Sequence, residues 1–344
     1  MPPLRRFPVS VAFVAALGTA LCARASTAQS LDLPTAIAWP AEHEWDDAME
    51  SRYSDFVATI GRAVAAGRCG TLSHCLNNPS INPLFIRSGR RVHIHADCAD
   101  VPYTLRAWFA YRNHLPFAYA RTMRGSGHDP RYLRNARATG TRLWTNFATP
   151  RDVLQSISSD VHSGFLRTAP DIEDSDFYQT TVDRRGIRPG TSYYDPNGHV
   201  LVVYEIHDDG EILMFDGHPD NTLSHPRFSE RYFLGSARSG GGFKNFRPIS
   251  WQNGVLVRWR NVEIPTFGGV EQFDATRRVG TIGAVTFHAW VRARMATASA
   301  VSTVTSGGQG AQAPARPTAA LPAIAPGSPR RRLRAGLRSR ARRV

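Results

Sequence analysis

Apolar side chains recur at helical spacing over residues 42–66, where Met49, Tyr53, Phe56, Val57, Ile60 and Val64 share one face, so an amphipathic helix is predicted there. A second helix is predicted from Cys98 to about residues 112–115. Val101, Leu105, Trp108 and Phe109 keep its spacing, and Pro102 is tolerated in its first turn. A third covers 150–166, with Thr149 as N-cap, Pro150 at the first position and Asp152 in the first turn. A last helix is predicted over 279–295. Residues 200–206 and 211–216 are apolar runs joined through Asp208-Asp209-Gly210, the clearest hairpin signal in the chain. Residues 246–251 and 255–264 predict a second hairpin around Asn253-Gly254. One or two short strands are expected within 84–96, and an extended segment over 141–148. Residues 123–135 read as a polar loop, 171–176 as an acidic loop, and 239–242 as a flexible glycine-rich loop. Helices at both ends of an antiparallel strand set, without βαβ alternation or internal repeat, predict an α+β fold.

The two ends stand apart from this pattern. Arg5 and Arg6 precede an apolar run, residues 9–20, too short to span a bilayer. Small-residue cleavage sites follow at Ala23-Arg24-Ala25 and Ser26-Thr27-Ala28, so residues 1–28 read as a secretory signal. The mature protein is therefore expected to be secreted or periplasmic, with no transmembrane span. Beyond residue 295 the chain becomes rich in Ala, Ser, Thr, Gly and Pro and closes on arginines, which predicts a disordered tail over 296–344. The tail holds nine arginines and no acid, and residues 1–28 hold three arginines and no acid. Of the net charge of +14, only +2 therefore belongs to residues 29–295. A nearly neutral body gives no support to specific nucleic-acid binding. The tail is expected to be solvated or to contact anionic envelope polymers or lipid head groups.

Four cysteines sharpen the picture. Cys22 leaves with the signal. Cys69 and Cys75, with five residues between them in a loop-like stretch, are expected to form a disulfide in an exported protein. That leaves Cys98 unpaired at a predicted helix start, between Asp97 and Asp100. The positive end of a helix favours a thiolate, so a nucleophile is expected, against the alternative of a buried inert cysteine. The Cys98 backbone N–H is the natural first oxyanion donor. His199 opens the apolar strand Val200-Leu201-Val202-Val203-Tyr204, and Asp216 closes the next one. A turn at 208–210 sets residue 202 opposite 216, which puts His199 nearer His218 or Asp220 unless a bulge intervenes. Asp216 is the first choice for the group that fixes the imidazole tautomer, and His218 is its rival. His93 and His95 share a strand face. They are alternative zinc ligands with Cys98 or His199, but no third ligand has metal-site spacing, so no metal or cofactor is expected. In the simpler reading His95 lines the site.

Cys, His and Asp in this order resemble the papain-like cysteine hydrolases, in particular the exported NlpC/P60 peptidases and the bacterial transglutaminase-like proteins. Asp97-Cys98-Ala99 is similar to the start of the NlpC/P60 nucleophile helix, and Gly198-His199-Val200 to its histidine strand. Cys98-Ala99-Asp100 and the Asp216 carboxylate resemble the transglutaminase-like branch more closely. The resemblance covers residues 90–220. It implies a papain-like domain over 29–295, with an N-terminal helical extension and a C-terminal elaboration. It also implies a Cys98–His199–Asp216 triad that cleaves an amide or peptide bond through a thioacyl-enzyme. The implied substrate is peptidoglycan or an envelope protein. Transfer to an amine, and an inactive papain-like module that binds or scaffolds in the envelope, are the alternatives.

Overall fold

A computed structural model of the chain describes residues 37–87, 91–277 and 286–297. The predicted signal segment, the tail beyond Thr297 and residues 279–285 of the predicted last helix lie outside the described residues. The chain divides into residues 1–297 and 298–344, the second wholly outside that part.

Asp46 accepts the amide of Met49 and starts α1 (Asp47–Ala65), which turns Tyr53, Phe56, Val57, Ile60 and Val64 inward. After α2 (Leu72–Asn77) comes α3 (Asp100–Arg112), buried along almost its whole length. An antiparallel ribbon follows, β1 (Ala118–Ser126) with β2 (Arg134–Leu143). The helix α4 (Pro150–Asp160) begins on the expected Thr149, whose hydroxyl and Asp152 cap each other reciprocally. The main sheet is built from β3 (Phe177–Gln179), β4 (Ser192–Asp195), β5 (His199–Ile206), β6 (Ile212–Gly217), β7 (Leu223–Ser224) and β8 (Gly242–Phe246). A second ribbon, β9 (Ile249–Gln252) with β10 (Val255–Arg258), turns at Asn253-Gly254 as expected. Both residues there have positive φ, the conformation such a hairpin turn demands. The last elements among the described residues are α5 (Glu271–Arg277) and α6 (Phe287–Met295).

The six strands run in the order β3-β8-β4-β5-β6-β7, every neighbour antiparallel. Both faces are covered, which explains why β5 reads as a continuous apolar run rather than an alternating one. Val200, Val202, Tyr204 and Phe215 join the core that contains α1 and α3, while Leu201, Val203 and Met214 meet Val291 and Met295 of α6. Contact with α1 is close: a Cβ on Gly61 would lie 2.2 Å from Tyr204 Cβ. Buried charge fixes α3 against α1. Arg106 donates to both Glu50 oxygens, at 3.0 and 2.5 Å, and stacks 3.2 Å over the Trp45 ring.

Mixed helix and antiparallel sheet agree with the expected α+β class, and the structure corrects several elements. Of residues 123–135, the ends 123–126 and 134–135 belong to the β1–β2 ribbon, and only 127–133 form the connection, with a 3-10 turn at Pro130–Tyr132; the ribbon's many arginines mask the strand pattern. The predicted helix 150–166 breaks at Val161 and resumes as a 3-10 turn, Ser163–Leu166. The glycine-rich 239–242 leads straight into β8, a central strand. Cys75 lies on α2 rather than in a loop, and it is disulfide-bonded to Cys69 as expected. No strand forms within the described part of 84–96. Residues 91–95 run extended against α2, where Asn77 brackets Val92 and Ser73 brackets Ile94 through both backbone polar groups. No described helix is long and apolar enough to cross a membrane.

Candidate active site

Asp97 makes Cys98 the first residue of a helical turn. Its Oδ1 accepts the amides of Ala99 and Asp100, at 2.9 and 3.3 Å, while Asp100 Oδ2 accepts the Asp97 amide at 3.0 Å. This is a capping box with aspartate at both positions, and the Asp-x-x-Asp spacing is its sequence signal. Val101 already donates to the Asp97 carbonyl, so Cys98 sits inside the first turn, two residues before the formal start of α3. Its backbone N–H bonds no acceptor among the described residues and remains open as a donor. The thiol is half-buried, 4.0 Å from the Gly198 carbonyl.

The partner side chains come from the β5–β6 hairpin. Near its turn Ile206 pairs with Ile212 and Glu205 with Leu213, a register that would carry 202 to 216 as the sequence suggests. A bulge at Tyr204 shifts the inner ladder to Val203–Met214 and Val202–Phe215. A one-residue shift exchanges the faces of one strand relative to the other. It therefore sets Leu201 opposite Asp216 and returns Asp216 to the side of His199, on the cross-strand diagonal. There His199 Nε2 donates to Asp216 Oδ2 at 2.5 Å. Ser224, opposite Asp216 on β7, donates to Oδ1. Of the two candidates for third member, Asp216 thus makes the bond. His218 stands behind it, with Nε2 3.8 Å from Oδ1 and its ring nearly parallel to His199 at 6.2 Å.

Occupation of Nε2 leaves Nδ1 free to serve the Cys98 thiol. Burial works against the charged ring, but the bond to Asp216 and the influence of neighbouring Cys98 outweigh it and hold His199 at about 10. Asp100 is displaced in the same direction for another reason. Burial, and then the charge of Asp97, push its carboxyl up to about 8, and its Oδ1 is buried without a partner. Its neutral form therefore dominates at pH 7.

His95 and His93 are exposed, and no hydrogen bond joins either ring to Cys98 or His199. Only the His95 carbonyl is engaged, by the Ser158 hydroxyl. No group of three or more His, Cys, Asp or Glu able to hold a metal occurs among the described residues. Three features of the site lack any local sequence signal. Ser224 reaches Asp216 only through strand pairing. Tyr132 bonds the Asn197 carbonyl at 2.9 Å from the first ribbon. Gly217 lets β6 approach the nucleophile turn so closely that a Cβ would lie 2.8 Å from the Asp97 carbonyl oxygen. A thiol at a helix start, an imidazole beside it and a buried carboxylate behind the imidazole form the constellation of cysteine nucleophile chemistry. Comparison with known protein families, with curated proteins and with solved structures finds no match.

Proposed function

We propose that the chain is an exported cysteine hydrolase of the papain-like kind, cleaving an amide or peptide bond. The Cys98–His199–Asp216 arrangement carries this reading, because the carboxylate occupies Nε2 and so presents the other ring nitrogen to the thiol. With His199 held at about 10, Nδ1 already carries the proton at neutral pH and Sγ adds to the scissile carbonyl as the thiolate, while the Cys98 N–H faces the developing oxyanion. The same proton passes to the leaving amine as the C–N bond breaks, leaving a thioester on Cys98. Water, deprotonated by His199, hydrolyses that thioester and restores the thiol. Peptidoglycan is the proposed substrate, from the likeness of Asp97-Cys98-Ala99 and Gly198-His199-Val200 to the NlpC/P60 peptidases. The Cys69–Cys75 bond and the apolar N-terminal segment support export.

Turnover of muropeptides by the full chain and by Cys98→Ala tests the proposal. Substitution of the nucleophile should lower the rate by roughly a thousandfold or more. Equal rates would refute it. Iodoacetamide should alkylate Cys98 faster in the wild type than in His199→Ala, and a thiol unreactive in both would favour a binding module.

A further inference from the structure

The β1–β2 ribbon concentrates positive charge beside the site. Residues 118–143 hold six arginines and one aspartate, a net +5, whereas the whole of 29–295 carries only +2, so the rest of the body is net negative. Arg131 pairs with Asp129 and Arg142 with Asp160, at 2.7 and 3.3 Å. Arg121, Arg124, Arg134 and Arg137 meet no carboxylate among the described residues. Arg124 and Arg137 even face each other across the ladder, a like-charge pair that works against the strand pairing. An arrangement that disfavours the empty ribbon is expected where an anion is to be held.

A cavity of about 440 Å³ lies against this ribbon, lined by Arg134, Arg167 and Arg238 together with serines 126, 236 and 239. No carboxylate lines it. A second cavity of about 260 Å³ shares Asn135 and Arg238 with it and adds Arg137 and one acid, Asp171. Arg167 is fixed in place: Nε donates to the Leu133 carbonyl and Nη1 to the Pro196 carbonyl, each at 3.0 Å. Its Nη2 bonds nothing among the described residues and is a preformed donor. The Pro196 to His199 turn joins this cavity to the nucleophile. Arg167 holds it at Pro196 and Tyr132 holds it at Asn197, while the Gly198 carbonyl lies 4.0 Å from Cys98 Sγ.

We propose that this arginine-lined cleft is a subsite for an oxyanion, a carboxylate or a phosphate, carried by the acyl substrate of Cys98. The inference rests on the reading of Cys98 as the nucleophile and narrows its substrates to those bearing an anionic group beyond the scissile bond. Two or three guanidinium groups hold such an oxyanion by charge-assisted, bidentate bonds.

Bromoacetylated ω-amino acids of increasing length, their ω-phosphonate analogues and the neutral ω-amides test it on the full chain. At one matched length the carboxylate or the phosphonate should alkylate Cys98 roughly tenfold faster than the amide, since docking raises the local concentration of reagent. In the double variant Arg134→Gln/Arg238→Gln the ratio should fall to about one. Arg151→Gln, which removes an arginine from α4 and none from the cleft lining, should keep it; thermal melts verify the fold of each protein. The carboxylate and phosphonate series decide which oxyanion is preferred. A ratio of one in the wild type at every length, or an unchanged ratio in the double variant, overturns the proposal. If Cys98 reacts with none of these reagents, the hydrolase reading fails, and calorimetry with inorganic tripolyphosphate decides the cleft alone. Tighter binding to the wild type than to the double variant, the Arg-rich tail being common to both, supports the subsite; equal binding overturns it.

Discussion

Asp216→Asn keeps the shape of the side chain behind His199 and removes its charge. In the wild type the carboxylate is buried, holds Nε2 at 2.5 Å and accepts a second bond from Ser224. A hydrogen bond to a charged group contributes about 1.5–3 kcal/mol, and one between neutral groups about 1 kcal/mol. The exchange therefore removes roughly 1–2 kcal/mol from the imidazolium, and about 1.4 kcal/mol corresponds to one pKa unit. His199 should drop by roughly one unit from its wild-type value of about 10. Ring resonances followed by NMR across the alkaline range measure both midpoints. The same shift has a sign in stability. A histidine raised from 6.5 to about 10 stabilises the fold fully below pH 6.5 and loses that contribution as pH rises to 10. The wild type should therefore exceed the variant by more at pH 6 than above pH 10 in thermal melts. A wild-type midpoint near 6.5, or one that the substitution leaves in place, would refute the reasoning, because the carboxylate would not then be governing the ring.

Asp100 supplies the opposite case. Its carboxyl ionises near 3.8 in the unfolded chain and at about 8 in the fold, so the wild type loses stability as pH rises between those values. Asp100→Asn does not titrate, and its urea stability relative to wild type should rise by about 4 kcal/mol from pH 5 to pH 8.5; a difference independent of pH would count against a buried, raised carboxyl. Gly217→Ala puts a methyl within 3 Å of the Ala96 and Asp97 carbonyl oxygens and of Val101. It should destabilise the fold by roughly 1–3 kcal/mol and slow Cys98 alkylation beyond what the loss of folded protein explains. Unchanged stability and unchanged alkylation would show that the turn and β6 are not in this contact.

What could be read from sequence was whatever local chemistry decides. The cap at Thr149 and the Asn253-Gly254 turn are fixed by residues within a few positions of each other, and each appears where expected. The β1–β2 ribbon was missed because its strands carry Arg121, Arg124, Arg134, Arg137 and Arg142 in place of an apolar face. β3 and β4 are too short to set a period, and their pairing with β8 spans about fifty residues or more of chain. At the site, Cys98 and His199 could be named because each has a local context, a helix start and a strand start. The choice between Asp216 and His218 turned on a bulge at Tyr204 that no turn residue announces. Ser224, Tyr132 and Arg167 reach the site only through tertiary packing.

The approach to Cys98 hangs on separate pegs instead of a zip. Residues 91–95 join no strand; Asn77 grips Val92 and Ser73 grips Ile94, and both grips come from the short helix that the Cys69–Cys75 bond closes. A β-ladder spreads a load over many bonds, so the loss of one is shared by its neighbours. Separate pegs share nothing. Removing either of these two leaves one grip on α2 and the Ser158 bond to the His95 carbonyl to aim the segment that carries the nucleophile into its turn. The aim of the thiol is thus set partly by an asparagine and a serine more than twenty residues upstream, neither of which touches the reacting atoms.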